Sequence, residues 1–185
     1  MHKLRYLAPI AALTVFSVAA AQAGSWNVDM DASSVGFSAE QQGGKFSGKF
    51  ETFTATIDFD PAAPADGSIV GTVETESVDT RDYDRDASLM EPDWLDVDKY
   101  PQAKFESESI ETVGDGSFVA HGNLTLKGQT KPIDMPFTFE QNGDSATFSG
   151  KLEIDRFDYK VGDGWNDTYM VGKDVEVTVE LSLSR

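Results

Sequence analysis

In nine separate stretches of this chain, apolar side chains fall at every second position. Between residues 52 and 59, Phe53, Ala55, Ile57 and Phe59 alternate with Thr52, Thr54, Thr56 and Asp58. A period of two puts one set on a buried face and the other in solvent, which is the signature of a half-buried strand. The alternation recurs over 69–73, 118–126, 133–139, 146–154 and 175–183, and in shorter form over 26–30, 35–39 and 103–109. Turn-forming residues stand between these stretches: Gln42-Gly43-Gly44, Asp60-Pro61 through Asp66-Gly67, Gly114-Asp115-Gly116, Gly128-Gln129 and Asn142-Gly143-Asp144. Most sequence neighbours are therefore expected to pair as antiparallel hairpins within one all-β domain. An open sheet of that size would expose its apolar face, so the strands must close into a barrel or stack as a sandwich. An immunoglobulin-like sandwich is the alternative, but strands of about ten residues are easier to place in a barrel around an enclosed space.

The inward positions mix large residues with small ones. Phe53, Phe59, Phe105, Phe118, Phe137 and Phe148 share the interior with Ala55, Gly71, Ala103, Ala120, Gly122, Ala146 and Gly150. Small residues opposite rings leave room for an apolar tunnel, since a barrel of about eight strands can hold one ligand. The same mixture also suits a filled core whose side chains follow the taper of the barrel.

The chain begins with the basic MHKLR, continues with mostly apolar residues over 6–20, and reaches the small-x-small site Ala21-Gln22-Ala23. That is the form of a secretory signal peptide, so 1–23 is expected to be removed and 24–185 to fold as a soluble periplasmic domain. A membrane anchor is the other reading, but the apolar run is shorter than the roughly 20 residues a spanning helix needs. With no cysteine present, neither a disulfide nor a lipid-modified cysteine is available, and a domain of this length does not need a disulfide. Acidic side chains number 32 against 15 basic ones, a net charge of −17. Nucleic acid and anionic membrane surfaces are repelled by such a chain. The acidity reads as a solubility device or as a face for a basic partner protein.

One stretch departs from the strand pattern. Residues 77–107, SVDTRDYDRDASLMEPDWLDVDKYPQAKFES, are charged and carry a helical segment over 81–90 and a turn over 94–98. Such an insert between two strands suits a lid over a pocket. Its spacing T-x4-R-D-x2-L-x3-D-W-x-D-x3-Y-P-x3-F-x-S, from Thr80 to Ser107, resembles the central signature of the YceI-like family of secreted lipid- and polyisoprenoid-binding proteins. Residues 33–61 look like that family's opening hairpin and 122–137 like its later one. The ending over 155–181 is similar to the branch that occurs fused to, or beside, membrane cytochrome b561 domains.

The resemblance implies a closed, antiparallel, lipocalin-like β-barrel with a short helical insert, whose interior takes up an isoprenoid lipid or quinone without catalysis or cofactor. It implies a b561-type cytochrome as a membrane partner and leaves the oligomeric state open, a homodimer included. Many members carry a His where Gln41 or Gln42 and Ser88 stand here, so no His-dependent role is implied. On this reading Phe37, Phe53, Phe59, Phe105, Phe118, Phe137 and Phe148 contact the ligand. Leu89, Met90 and Trp94 form the lid's apolar side, or else peg the insert to the barrel. Arg85, with Asp86, stands at the mouth, where the forked donors of a guanidinium grip a head group. Alternatively, Arg85 pairs with Asp82 or Asp86 and braces the helix.

Other chemistry finds little support. Downstream of residue 23, His121 is the one histidine, in the polar register of its strand, so neither Ser-His-Asp nor Cys-His catalysis is expected. Asp82, Asp84, Asp86, Asp93, Asp96 and Asp98 are close in sequence, as chance clustering among so many carboxylates allows, and a glycosidase pair is not indicated. DTRDYDRD and VGDGWND offer oxygen ligands at short spacings but do not match the calcium-loop pattern, so no metal site is assigned. The rival to a lipid carrier is a filled barrel that docks on a membrane partner.

Overall fold

The structure is a computed structural model and describes residues 24–185; the expected leader over 1–23 lies outside the described residues. In chain order the strands are β1 (Ser25–Gln41), β2 (Gly44–Phe50), β3 (Phe53–Asp58), β4 (Ser68–Glu74) and β5 (Val78–Asp79). Helix α1 (Tyr83–Met90) follows, then β6 (Gln102–Gly114), β7 (Ser117–Leu126), β8 (Gln129–Asn142), β9 (Ser145–Asp155) and β10 (Asp174–Ser184). Eight of the strands close an antiparallel barrel in the order β1-β3-β4-β6-β7-β8-β9-β10, with β10 returning to β1; β2 and β5 are added beside β1. The expected closed barrel, and not a sandwich, is therefore the fold.

Closure depends on the length of β1. Its first residues, Ser25 and Trp26, pair with Asp58 and Ile57 of β3. Beyond them β1 leaves β3 and runs beside β2, from Val35 against Phe50 to Gln41 against Gly44. On its other edge β1 follows β10 from Asn27 to Ser38, across a register shift between Asp29 and Ser34. At the shift, Asp29 Oδ1 accepts the backbone N–H of Asp31 at 3.1 Å. The alternation over 26–30 and 35–39, read as two strands, thus belongs to one strand bent at a bulge, where period two is broken by the extra residues.

Two strands lie outside the nine expected. In β2, Phe46, Gly48 and Phe50 alternate with Lys45, Ser47 and Lys49, but Gly48 interrupts the apolar series. A Cβ at Gly48 would collide with the Phe37 ring and Thr80, so close packing explains the gap. β5 is two residues long, too short to show any period. Helix α1 starts at Tyr83 instead of Arg81 because Asp82 caps it, accepting the Arg85 N–H at 3.2 Å. The β1–β2 and β7–β8 hairpins turn through Gln42-Gly43 and Lys127-Gly128, whose positive φ angles of 54°, 74°, 47° and 71° fit the type I′ turn that matches strand twist.

The interior divides along the barrel axis. At one end Trp26, Phe59, Phe118, Phe137, Phe139 and Phe148 are all at most 5% exposed and pack edge to face or stacked, with centroids 4.7–5.4 Å apart. This end is filled. Trp26 Nε1 donates to the Phe59 carbonyl at 2.9 Å, so its buried polar tip has a partner. At the other end a second cluster forms around Val78, Leu95, Ile154, Tyr159 and Val161, with Leu89 and Trp94 packed on it from the insert.

Candidate functional site

Between the two clusters lies a cavity of about 210 Å³ with an almost wholly apolar lining. Its existence follows from side-chain size. Ala55, Gly71 and Ala103 face it from β3, β4 and β6, and β4 pairs Gly71 with Ala55 on one side and Phe105 on the other. A Cβ placed on Gly71 would meet no atom within 4 Å. Gly122 and Gly150 leave no such space. A Cβ at Gly122 would collide with the backbone of Glu106 and Ser107, and one at Gly150 would come 3.0 Å from the Phe148 ring. Phe148 marks the floor: it lines the cavity and stacks at 4.7 Å on Phe137 of the filled end.

The opposite end is covered by two segments. From the insert come Leu89, Trp94 and Leu95; from the connection between β9 and β10 come Val161, Val171 and Gly172. Gly162 N donates to the Asp93 carbonyl at 2.8 Å, joining the two covers. The Trp94 and Trp165 rings lie 6.1 Å apart. The second cover is also tied to the β1–β2 hairpin, with Gly172 N on the Glu40 carbonyl at 2.8 Å and Gln42 N on the Met170 carbonyl at 3.2 Å.

Arg156 organises this second cover and was not among the expected site residues. It is 2% exposed, yet no carboxylate among the described residues forms an ion pair with it. Its Nε donates to Gly172 O at 2.9 Å, Nη1 to Val161 O at 2.8 Å and Gly162 O at 2.7 Å, and Nη2 to Trp165 O at 2.6 Å and Val171 O at 3.2 Å. The guanidinium also lies 4.0 Å from the Phe157 ring centroid and 5.7 Å from that of Trp94. Burial lowers its pKa, which Asp155 and Asp163 partly offset. Arg156 thus gathers five carbonyls of a segment that has no helix or strand of its own. The only trace in the sequence is an Arg opening a glycine- and aspartate-rich stretch, which does not announce five backbone partners.

Of the expected ligand residues, Phe37, Leu89, Trp94, Phe105 and Phe148 are brought together on the cavity. Phe53 is buried outside its lining, and Phe59, Phe118 and Phe137 belong to the filled end. Arg85 and Asp86 lie off the lining and fasten α1 instead. Arg85 Nε donates to Gln41 Oε1 at 3.3 Å, its Nη2 is 3.4 Å from Asp82 Oδ2, and its guanidinium lies 4.3 Å from the Phe46 ring centroid. Asp86 Oδ1 accepts from Thr80 N at 2.8 Å and Thr80 Oγ1 at 2.6 Å.

Beside the mouth is a polar cleft of about 300 Å³ whose walls include Lys99, Lys127, Lys160, Asp93, Asp96 and Asp163. Lys127 Nζ donates to the Asp93 and Lys160 carbonyls, each at 2.9 Å. Burial lowers its pKa against the opposing pull of Asp96, Asp93 and Asp163. On the outer wall, His121 Nδ1 lies 2.6 Å from Asp134 Oδ1 and Nε2 lies 3.2 Å from Glu111 Oε1. These contacts, Asp134 first, raise its pKa.

Comparison with known proteins places this geometry. The family model of the YceI-like domain matches residues 26–183. A UPF0312 protein of Vibrio cholerae is 32% identical over 139 residues, 72% of each chain. The crystal structure of Burkholderia cenocepacia BcnA superposes with a TM-score of 0.82 at 35% identity, covering 84% of this chain and 99% of that one. A polyisoprenoid binding domain from Saccharophagus degradans gives a TM-score of 0.70 over 88% of this chain and 98% of its own. At 16% identity that likeness shows the fold alone.

Proposed function

The chain belongs to the YceI-like family, and from that premise we propose that it is a periplasmic carrier whose barrel takes the tail of an isoprenoid lipid or quinone out of water. The observation that carries this reading is the cavity itself: apolar, floored by Phe148 and covered by Leu89, Trp94 and Val161. A barrel packed solid to serve only as a docking body would have no use for Gly71, which faces open space. The ligand class named for the S. degradans neighbour points the same way. Export to the periplasm rests on the leader-like residues 1–23, and delivery to a b561-type cytochrome on the likeness of residues 155–181.

The energetics are adequate for reversible carriage. An engineered cavity of about 150 Å³ admits benzene, so about 210 Å³ encloses about eight to ten carbons, or two isoprene units. At ~0.8 kcal/mol per buried CH2, about ten carbons contribute at most ~8 kcal/mol, so the dissociation constant is no tighter than ~1 μM. That suits a carrier that must release its load.

Native mass spectrometry with lipid extraction, on protein secreted by its own host, tests the reading. A stoichiometric isoprenoid is the expected result. Protein that emerges empty and also fails to take up added polyprenyl phosphates and quinones would end the carrier assignment.

A further inference from the structure

We infer that the barrel reads the hydrocarbon of its ligand and is indifferent to the group at its end. This rests on the carrier reading and specifies it. A guanidinium has five N–H donors, and all five of Arg156 are taken by backbone carbonyls of residues 161, 162, 165, 171 and 172. The cationic group at the cavity therefore has nothing left to offer a phosphate, and recruiting it would release the cover that it holds. Lys104 pairs with Thr72 between the inward Ala103 and Phe105, so it gives the wall its backbone, and its Nζ is 2.8 Å from Glu106 on the solvent side. Thr54 and Thr72 alternate with the inward Ala55, Gly71 and Val73, so they give the wall their backbone and not their hydroxyls. A charged group drawn inside would lose its water without gaining a partner, a cost that keeps it out.

Size leads to the same result. The cavity of about 210 Å³ takes about two isoprene units, so a longer chain extends beyond it and carries its head away from the cavity wall. Arg85 is committed to Gln41, Asp82 and Phe46. The lysines of the neighbouring cleft are matched by Asp93, Asp96 and Asp163, in a chain whose net charge is −17.

The test is titration of lipid-stripped protein, at physiological salt, with farnesol, farnesyl phosphate and farnesyl diphosphate, read by displacement of a fluorescent polyene. The expected dissociation constants agree within about threefold, and Arg85→Ala leaves their ratios unchanged. Phosphorylated forms that bind about tenfold or more tightly than the alcohol would overturn the inference while leaving the carrier reading intact. A preference removed by Arg85→Ala would assign it to that residue, whereas one removed by Lys99→Gln with Lys160→Gln would assign it to the cleft. Failure of all three to bind would sink the carrier reading and this inference together.

Discussion

Replacing Gly71 with leucine should make the empty protein more stable and a poorer carrier. The position is central in β4, and a Cβ there meets nothing within 4 Å. By the ratio of benzene to its ~150 Å³ cavity, four added carbons occupy ~100 Å³, about half of the roughly 210 Å³ present. Burying the leucine contributes ~1.5–3 kcal/mol, and removing a glycine from a strand interior adds ~0.5–1 kcal/mol. If the side chain must shift its neighbours, part of this is lost, so a net gain of ~2 kcal/mol is a fair expectation. For a domain of this size that raises Tm by ~4–8 °C. The tail loses about four enclosed carbons, or ~3 kcal/mol, which weakens binding by about 200-fold. Thermal unfolding by circular dichroism and a farnesol titration on the same sample read both effects. Gly150→Leu is the contrast, since its Cβ would lie 3.0 Å from Phe148; overpacking there should cost ~1–3 kcal/mol. Unchanged farnesol binding by a folded Gly71→Leu protein would refute the argument, because the space at Gly71 would then not be the space the ligand uses.

Three further outcomes are expected. Arg156→Met strands two buried carbonyls, at Val161 and Gly162, and three half-buried ones and should cost ~3 kcal/mol, with faster amide exchange over residues 160–172; uniform exchange across the domain would point to a general packing role instead. Asp86→Asn weakens the charge-assisted contacts to Thr80 by ~1–2 kcal/mol, and should raise amide exchange in α1 and speed lipid release without lowering the barrel's own protection. His121 has its pKa raised by Asp134 and then Glu111, so its contribution to stability is complete below pH ~6.5 and is lost as pH climbs through the folded value. An NMR titration should find that value above ~6.5 in the native protein and nearer ~6.5 in Asp134→Asn; the same midpoint in both would discard the assigned cause.

Much of the fold was legible because strand formation is governed locally. Alternation of period two, interrupted at Gly43 and Gly128 where φ is positive, specifies hairpins without reference to the rest of the chain, although the second turn uses Lys127-Gly128 and not Gly128-Gln129. All eight barrel strands fall on alternating stretches, whereas the helix expected from Arg81 starts at Tyr83, after its cap Asp82. Alternation states which residues face inward but not how deep along the axis they sit. Depth depends on the stagger between strands. That is why Phe118 and Phe137 fill the closed end while Phe105 and Phe148 meet the cavity, although all four lie at inward positions of strands. It is also why Gly71 faces space and Gly150 faces a ring. For Arg85 the sequence left two roles open, and tertiary contacts with Gln41, Asp82 and Phe46 occupied it. For Arg156 the determining partners are backbone carbonyls, which every residue carries and no sequence pattern marks. The sequence by itself determined an acidic chain of antiparallel hairpins with a helical insert, because periodicity, turns and charge are properties of neighbours. Only the tertiary structure decided where the barrel is hollow and what holds its mouth together, because both depend on which distant strands are set side by side.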